Sequence, residues 1–263
     1  MPEKLFVIKI GGHIVDDAES LSRFQDQFTR LRGRKVLVHG GGKVATRIAA
    51  ELGIEATLVA GRRITDAAML QVVTMVYAGL TNKQVVAGLQ ARNCNALGLS
   101  GADGNSITTV KRPVKDIDYG FVGDILPHSV DEDSLAALLE YGFVPVFSAI
   151  THDGSGQLLN TNADTIASAV AVAMSSKYNV SLVYCFEKRG VLRDVNDDSS
   201  VIDEIRSSEL ESLQVNGIVA DGMVPKLHNA FDAIAKGVRD VYIGHAAELH
   251  LLQEHRFGTR MVR

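Results

Sequence analysis

The chain has 263 residues, 46% of them hydrophobic, with a formal net charge of −4 and a pI near 6.1. That balance offers no basic field for nucleic acid and no polybasic patch for a membrane surface, and no apolar run reaches membrane-spanning length. The size suits one large α/β domain or two lobes around a substantial core.

In chain order, MPEKLFVIKI enters a strand at once and lacks a signal-peptide layout. Residues 5–10 (LFVIKI) are a short continuous apolar run, the pattern of a strand buried on both faces. Lys9 ends that run just before Gly11-Gly12. Residues 17–32 read as a helix with Leu21, Phe24, Phe28 and Leu31 on one side. A second strand, KVLVHG at 35–40, turns through His39-Gly40-Gly41-Gly42 into a helix over 43–52. A long helical pattern covers 66–92, with a break expected near Gly79. ALGLS at 96–100 reads as a third core strand, and segments 107–112 and 120–125 as a hairpin. A helix at 131–141 opens with the acids of VDEDSL, and a strand follows at 143–148. The polar run LLNTNAD, which contains Asp164, opens an Ala-rich helix at 162–176.

From about residue 178 the pattern restarts, with a strand at 180–186, a polar loop and an amphipathic helix near 207–214. A helix over 223–236 is entered through the turn DGM at 221–223 and carries Lys226. A strand at 240–244, a last helix and a last strand close the chain, with no linker and no internal repeat. The alternation predicts a mostly parallel sheet with helices on both faces. Ligands bind such sheets beyond the carboxyl ends of the strands, where Lys9, Gly11, His39, Gly41, Gly42 and Ser100 fall. Cys94 and Cys185, the two cysteines, form no CxxC and no metal pattern, which predicts a reduced cytoplasmic protein.

Cations and bare backbone amides at strand ends suit a ligand with several phosphate oxygens. The familiar nucleotide motifs are nevertheless absent. In HGGGKVAT, Leu37 stands where a Walker motif needs its first glycine, and Val44 follows Lys43. No GxGxxG follows the first strand, and the protein-kinase motifs are missing.

Five segments occur in a telling order: KIGG, VHGGG, GRRIT at 61–65, NTNAD at 160–164 and DGMVPK at 221–226. Together they resemble the amino-acid kinase family over essentially the whole chain, and within it the branch that phosphorylates N-acetyl-L-glutamate. The resemblance implies a three-layer αβα sandwich around a mainly parallel central sheet. It implies an N-terminal lobe, 1–177, for the acyl amino acid and the dimer contact, and a C-terminal lobe, 178–263, for ATP. The implied reaction moves the ATP γ-phosphoryl group to a side-chain carboxylate, a step of arginine synthesis, with Mg²⁺ carried by the phosphates and no protein metal ligand.

Position by position, Lys9 and Lys226 match the lysines that neutralise the transferring phosphoryl group, and Asp164 the acid that holds both. Gly11 and Gly12 match the turn beside the phosphates, and Gly41 and Gly42 the amides around the nucleophile carboxylate. Arg63 matches the arginine on the substrate α-carboxylate, Asn160 the asparagine on the same substrate. Family members usually carry a loop like TDVxGV after the strand at 180–186, where this chain reads CFEKRGVL. Gly190, Val191 and Leu192 fit that pattern and Gly190 is assigned to the nucleotide; Phe186, Lys188 and Arg189 do not match.

His39 stands open between a structural hydrogen bond and support of the site, and Asn162 reads as a capping residue. Lys111 and Arg112 read as hairpin charges or as lining of the acyl pocket. With Arg62 and Arg63 they supply more cation than an acetyl methyl needs, so a succinyl group is the alternative. Another kinase of the superfamily, or a non-catalytic sensor of an amino acid or nucleotide, are the rival functions. Only Met1 to Lys4 precede the first strand, and the resemblance then implies an arginine-insensitive homodimer.

Overall fold

The computed structural model describes residues 2–59, 61–194, 196–215 and 224–263. Strand β1 (Lys4–Ile10) leads through a short helix α1 (Gly12–Asp16) to α2 (Ala18–Arg30), then β2 (Arg34–His39) and α3 (Gly42–Glu51). A small hairpin of β3 (Leu58–Val59) and β4 (Arg62–Arg63) precedes a long helical stretch. That stretch is α4 (Ala67–Val73), a π-helical segment Thr74–Thr81, and α5 (Asn82–Gln90). Next come β5 (Ala96–Leu99), β6 (Val110–Lys111), β7 (Gly123–Asp124), α6 (Glu132–Glu140) and β8 (Val144–Phe147). A hairpin of β9 (Ile150–His152) and β10 (Leu158–Asn160) feeds α7 (Ala163–Met174) and β11 (Asn179–Phe186). The chain then forms β12 (Glu204–Arg206), α8 (Leu210–Val215), α9 (Val224–Ala235), β13 (Asp240–His245), a 3₁₀ segment Ala246–Glu254 and β14 (Thr259–Val262).

Eight strands make one sheet in the order β12-β14-β13-β11-β1-β2-β8-β5. From β13 to β5 every pairing is parallel, and β14 reverses the direction against β13. The run LFVIKI explains the layering. Leu5 and Val7 join a core with α6, α7 and α9, while Phe6, Ile8 and Ile10 join one with α2, α5 and the segment 246–254. Alternate side chains of one strand thus fill both faces, and a three-layer αβα sandwich results. A third core, built from α3, α4 and the π-helical segment against Ala149 and Ile150, forms beside the sheet.

Three expectations change. The strand at 96–99 lies at the sheet edge and is only partly buried, rather than in the core. The helix over 66–92 is not broken near Gly79: it continues through one stretch of π-helix. The hairpin at 107–125 pairs only two residues per strand, because Ile107, Thr108 and Val122 bridge to Val130, His152 and Asn160 instead. The turn DGM at 221–223 lies outside the described residues.

Candidate active site

The parallel register brings the ends of three adjacent strands together. Lys9 pairs with Val38 of β2 and Tyr184 of β11, and Ile10 with His39 and Cys185. Lys9 follows Leu5 and Val7 on the face covered by α7, so its side chain emerges where that helix begins. Asn162 caps α7, its Oδ1 accepting from the amides of Asp164 (2.8 Å) and Thr165 (3.1 Å). The Asp164 carboxylate therefore sits in the first helical turn, where the dipole favours an anion. Lys9 Nζ lies 2.8 Å from Asp164 Oδ1. The contact is an ion pair by distance but off hydrogen-bond geometry, since that oxygen is buried without a directed donor.

Lys226, near the start of α9, brings its ammonium to 3.8 Å from the centre of the Phe186 ring. Lys9 Nζ is 5.6 Å from the same point. Burial lowers the pKa of Lys226; Asp164 opposes that shift and the Lys9 charge adds to it. Two ammonium groups, one carboxylate and one aromatic ring thus converge at the carboxyl end of the sheet.

The turn after β2 is held from below. His39 is fully buried, its Nδ1 2.8 Å from Gly40 O and its Nε2 3.0 Å from Asn82 Nδ2. Asn82 Nδ2 also donates to Val146 O at 2.9 Å. Burial pulls the imidazole pKa down to about 4, so the ring is neutral at pH 7, with Nδ1–H donating and Nε2 accepting. His39 therefore fixes the Gly40 carbonyl, and with it the direction in which Gly41 and Gly42 leave the strand. Gly41 packs on Tyr77, and a Cβ there would come within 2.9 Å of that ring.

A cavity of about 430 Å³ opens beside this turn, lined by Lys9, Gly40–Gly42, Arg63, Tyr77, Asn160 and neighbouring residues. Arg63 is buried and held through Nη2, which donates to Gly42 O (2.9 Å) and Thr46 Oγ1 (2.7 Å). Asn160 ends β10 and its Nδ2 donates to Thr65 Oγ1 at 3.0 Å. Arg112 reaches the same cavity but is engaged by Asp124 through Nε at 3.0 and 3.1 Å. Arg62 lines both this cavity and a neighbouring one, and no ion pair holds it among the described residues.

Gly11 and Gly12 lie at the same end of the sheet, outside the cavity lining; Gly11 O accepts from the amides of Ile14 and Val15. Gly190 has a packing reason: a Cβ would meet Thr259 Oγ1 at 2.7 Å, and the next amide, Val191, donates to that oxygen. Sequence reasoning passed over Tyr77 and Asp124, and it gave Phe186 no role. Only the mismatch of CFEKRGVL with the usual loop signalled the last. No cluster of three or more His, Cys, Asp or Glu arranged for a metal ion occurs among the described residues. Paired ammonium groups and glycine amides fit phosphate oxygens, which would bring a divalent cation with them.

The sequence model of the amino acid kinase family matches residues 4–245. An acetylglutamate kinase of Bacteroides thetaiotaomicron is 58% identical over 261 residues, covering 99% of each chain. One from Cytophaga hutchinsonii is 52% identical over 263 residues, again covering 99% of each. Among solved structures, N-acetylglutamate synthase from Neisseria gonorrhoeae, complexed with coenzyme A and N-acetyl-glutamate, superposes with a TM-score of 0.81 at 24% identity. That likeness covers 99% of this chain and 59% of the synthase chain, and it speaks to the fold alone. With a matching family model over most of its length and full-length relatives above half identity, the chain belongs to the amino acid kinase family.

Proposed function

We propose that this protein transfers the γ-phosphoryl group of ATP to the side-chain carboxylate of N-acetyl-L-glutamate, the acyl-phosphate-forming step of arginine synthesis. The observation that carries the reading is the Lys9–Asp164 pair with Lys226 close by, set beside a cavity that holds Arg63 and Asn160. A glutamate side chain has a pKa of about 4.3, so at neutral pH it is already the nucleophile and no general base is required. The barrier lies in bringing an anion to a polyanion, and positioned charge lowers it.

In this reading Lys9 and Lys226 neutralise charge on the transferring group, and Asp164 orients them. The amides of Gly41 and Gly42 hold the attacking carboxylate, Arg63 the α-carboxylate and Asn160 the acylamino group. Gly11 and Gly12 border the phosphates, and the 178–263 lobe, with Gly190 in its loop, takes ATP while 1–177 takes the acyl amino acid. Mg²⁺ bound to ATP supplies further charge neutralisation. The two free cysteines, both buried, support a reducing, cytoplasmic setting.

A coupled ADP-release assay with acetylglutamate, succinylglutamate, glutamate and aspartate tests the reading; turnover with glutamate or aspartate alone, or none at all, sinks it. Succinylglutamate is the second reading, favoured by Arg62, which lines two cavities and has no ion pair among the described residues. Arg112 argues less for it, because Asp124 already occupies that cation. A homodimer is supported by Met75 and Leu80, large apolar side chains exposed on the π-helical segment at 56% and 45%. Light scattering at the monomer mass refutes it.

A further inference from the structure

Phe186 closes β11 at the carboxyl end of the sheet, and both lysines converge on its ring. We propose that Phe186 is a positioning residue for phosphoryl transfer, its ring face holding the Lys226 ammonium at 3.8 Å with Lys9 at 5.6 Å. The inference rests on the kinase reading above.

Charge explains why a ring suits this position. The site holds two ammonium groups, and the carboxylate paired with them among the described residues, Asp164, lies 2.8 Å from Lys9. Lys226 is partly desolvated, which disfavours its charged form. A second carboxylate would steady it, but that carboxylate would also repel an arriving phosphate and compete with it for the ammonium. An aromatic face attracts the ammonium through its quadrupole while carrying no net charge. The attraction is weak enough for Lys226 to move onto a phosphate oxygen, and directional enough to keep it at the entry point.

The ring itself is fixed. Phe186 is the last residue of β11, paired with His245 of β13, and it stacks on Tyr184 with centroids 6.2 Å apart and planes 22° from parallel. The Tyr184 hydroxyl donates to Asp164 O at 3.4 Å. The platform under Lys226 is thereby tied to the helix start that carries the acid partnering Lys9.

The test replaces Phe186 with mono-, di- and trifluorinated phenylalanines, which keep the ring's shape while draining its negative face, alongside Phe186→Leu and Phe186→Tyr. We expect kcat to fall stepwise along the fluorine series, to roughly 10-fold below wild type, equivalent to about 1.4 kcal/mol. Phe186→Leu falls at least as far, Phe186→Tyr stays within about twofold, and KM for acetylglutamate holds within about twofold, because the ring acts on Lys226 and not on the acyl substrate. In NMR spectra, the Lys226 Cε protons should carry an upfield ring-current shift that Phe186→Leu abolishes. A flat fluorine series, or ordinary Cε shifts in the wild type, overturns the proposal. Wild-type protein without acetylglutamate-dependent turnover overturns the substrate reading instead, and the Lys226 shifts then decide the contact alone.

Discussion

Replacing His39 by glutamine should change the pH dependence of stability by an amount the structure sets. The imidazole is fully buried, bonded to Gly40 and Asn82, and its pKa is held down to about 4. In the unfolded chain it returns to about 6.5. As pH falls below about 6.5 the unfolded state takes up the proton first, so the native state loses stability from there down to about 4. At about 1.4 kcal/mol per pH decade, the full loss is roughly 3 kcal/mol. Above pH 7 the histidine is neutral in both states and contributes no slope. Urea unfolding at pH 7.5, 6, 5 and 4, on wild type and His39→Gln, isolates the effect, since all other titrating groups cancel in the difference. The wild type's advantage over the variant should shrink by roughly 3 kcal/mol between pH 7.5 and 4. A difference that stays constant within about 1 kcal/mol would refute a neutral, clamped imidazole.

The remaining predictions follow the same geometry. Lys9→Ala and Lys226→Ala should each lower kcat by roughly 10²–10³-fold, and Asp164→Asn should lower it while substrate still binds; the double mutant Lys9→Ala/Asp164→Asn should be clearly less than additive, which steady-state kinetics will show. Because Asp164 opposes the lowering of the Lys226 pKa, its removal should also move the alkaline loss of kcat to lower pH. Lys35 is buried and donates to the carbonyls of Phe28 (3.2 Å) and Leu31 (2.7 Å) at the end of α2. Lys35→Met should cost about 1–3 kcal/mol in urea unfolding by stranding those carbonyls. The wild type should gain stability as pH rises from the lowered Lys35 pKa toward the ordinary value, where the unfolded chain binds more protons, and the variant should lack that rise. Gly98→Ala would place a Cβ 2.1 Å from Asn82 Oδ1, an atom that cannot retreat without breaking the His39 contact, so a loss of about 1–3 kcal/mol is expected by the same assay.

The parts of the molecule legible in sequence were those decided by local chemistry. LFVIKI announced a strand buried on both faces, and Leu5 and Phe6 do enter different cores. Asn162 looked like a cap and makes both capping bonds. What sequence left unsaid was set by distant partners. Periodicity carries no strand direction, so the reversal at β14 was silent. The π-helical segment sets Tyr77 and Thr81 against Gly41, a contact with a distant turn that helical periodicity does not carry. The hairpin Ile150–Asn160 was missed because its strands are three residues long, too short to show alternation. Phe186 looked like the last apolar residue of a strand, and the mismatch of its loop marked the position without revealing that two lysines, far apart in the chain, would face it.

The position of β1 in the middle of the sheet has a consequence for how the chain reaches its native state. One edge of Lys4–Ile10 pairs early, with Arg34–His39, but the other edge waits for Asn179–Phe186. During synthesis from the amino end, this buried, apolar strand therefore spends the making of most of the chain with a row of unsatisfied backbone groups on one side. Such an edge is a template for pairing with other chains, and long-range parallel closure is slow. Refolding yield should fall steeply with protein concentration, and recovery of activity, which needs Lys9 beside residues from the distal strand, should trail recovery of helical signal.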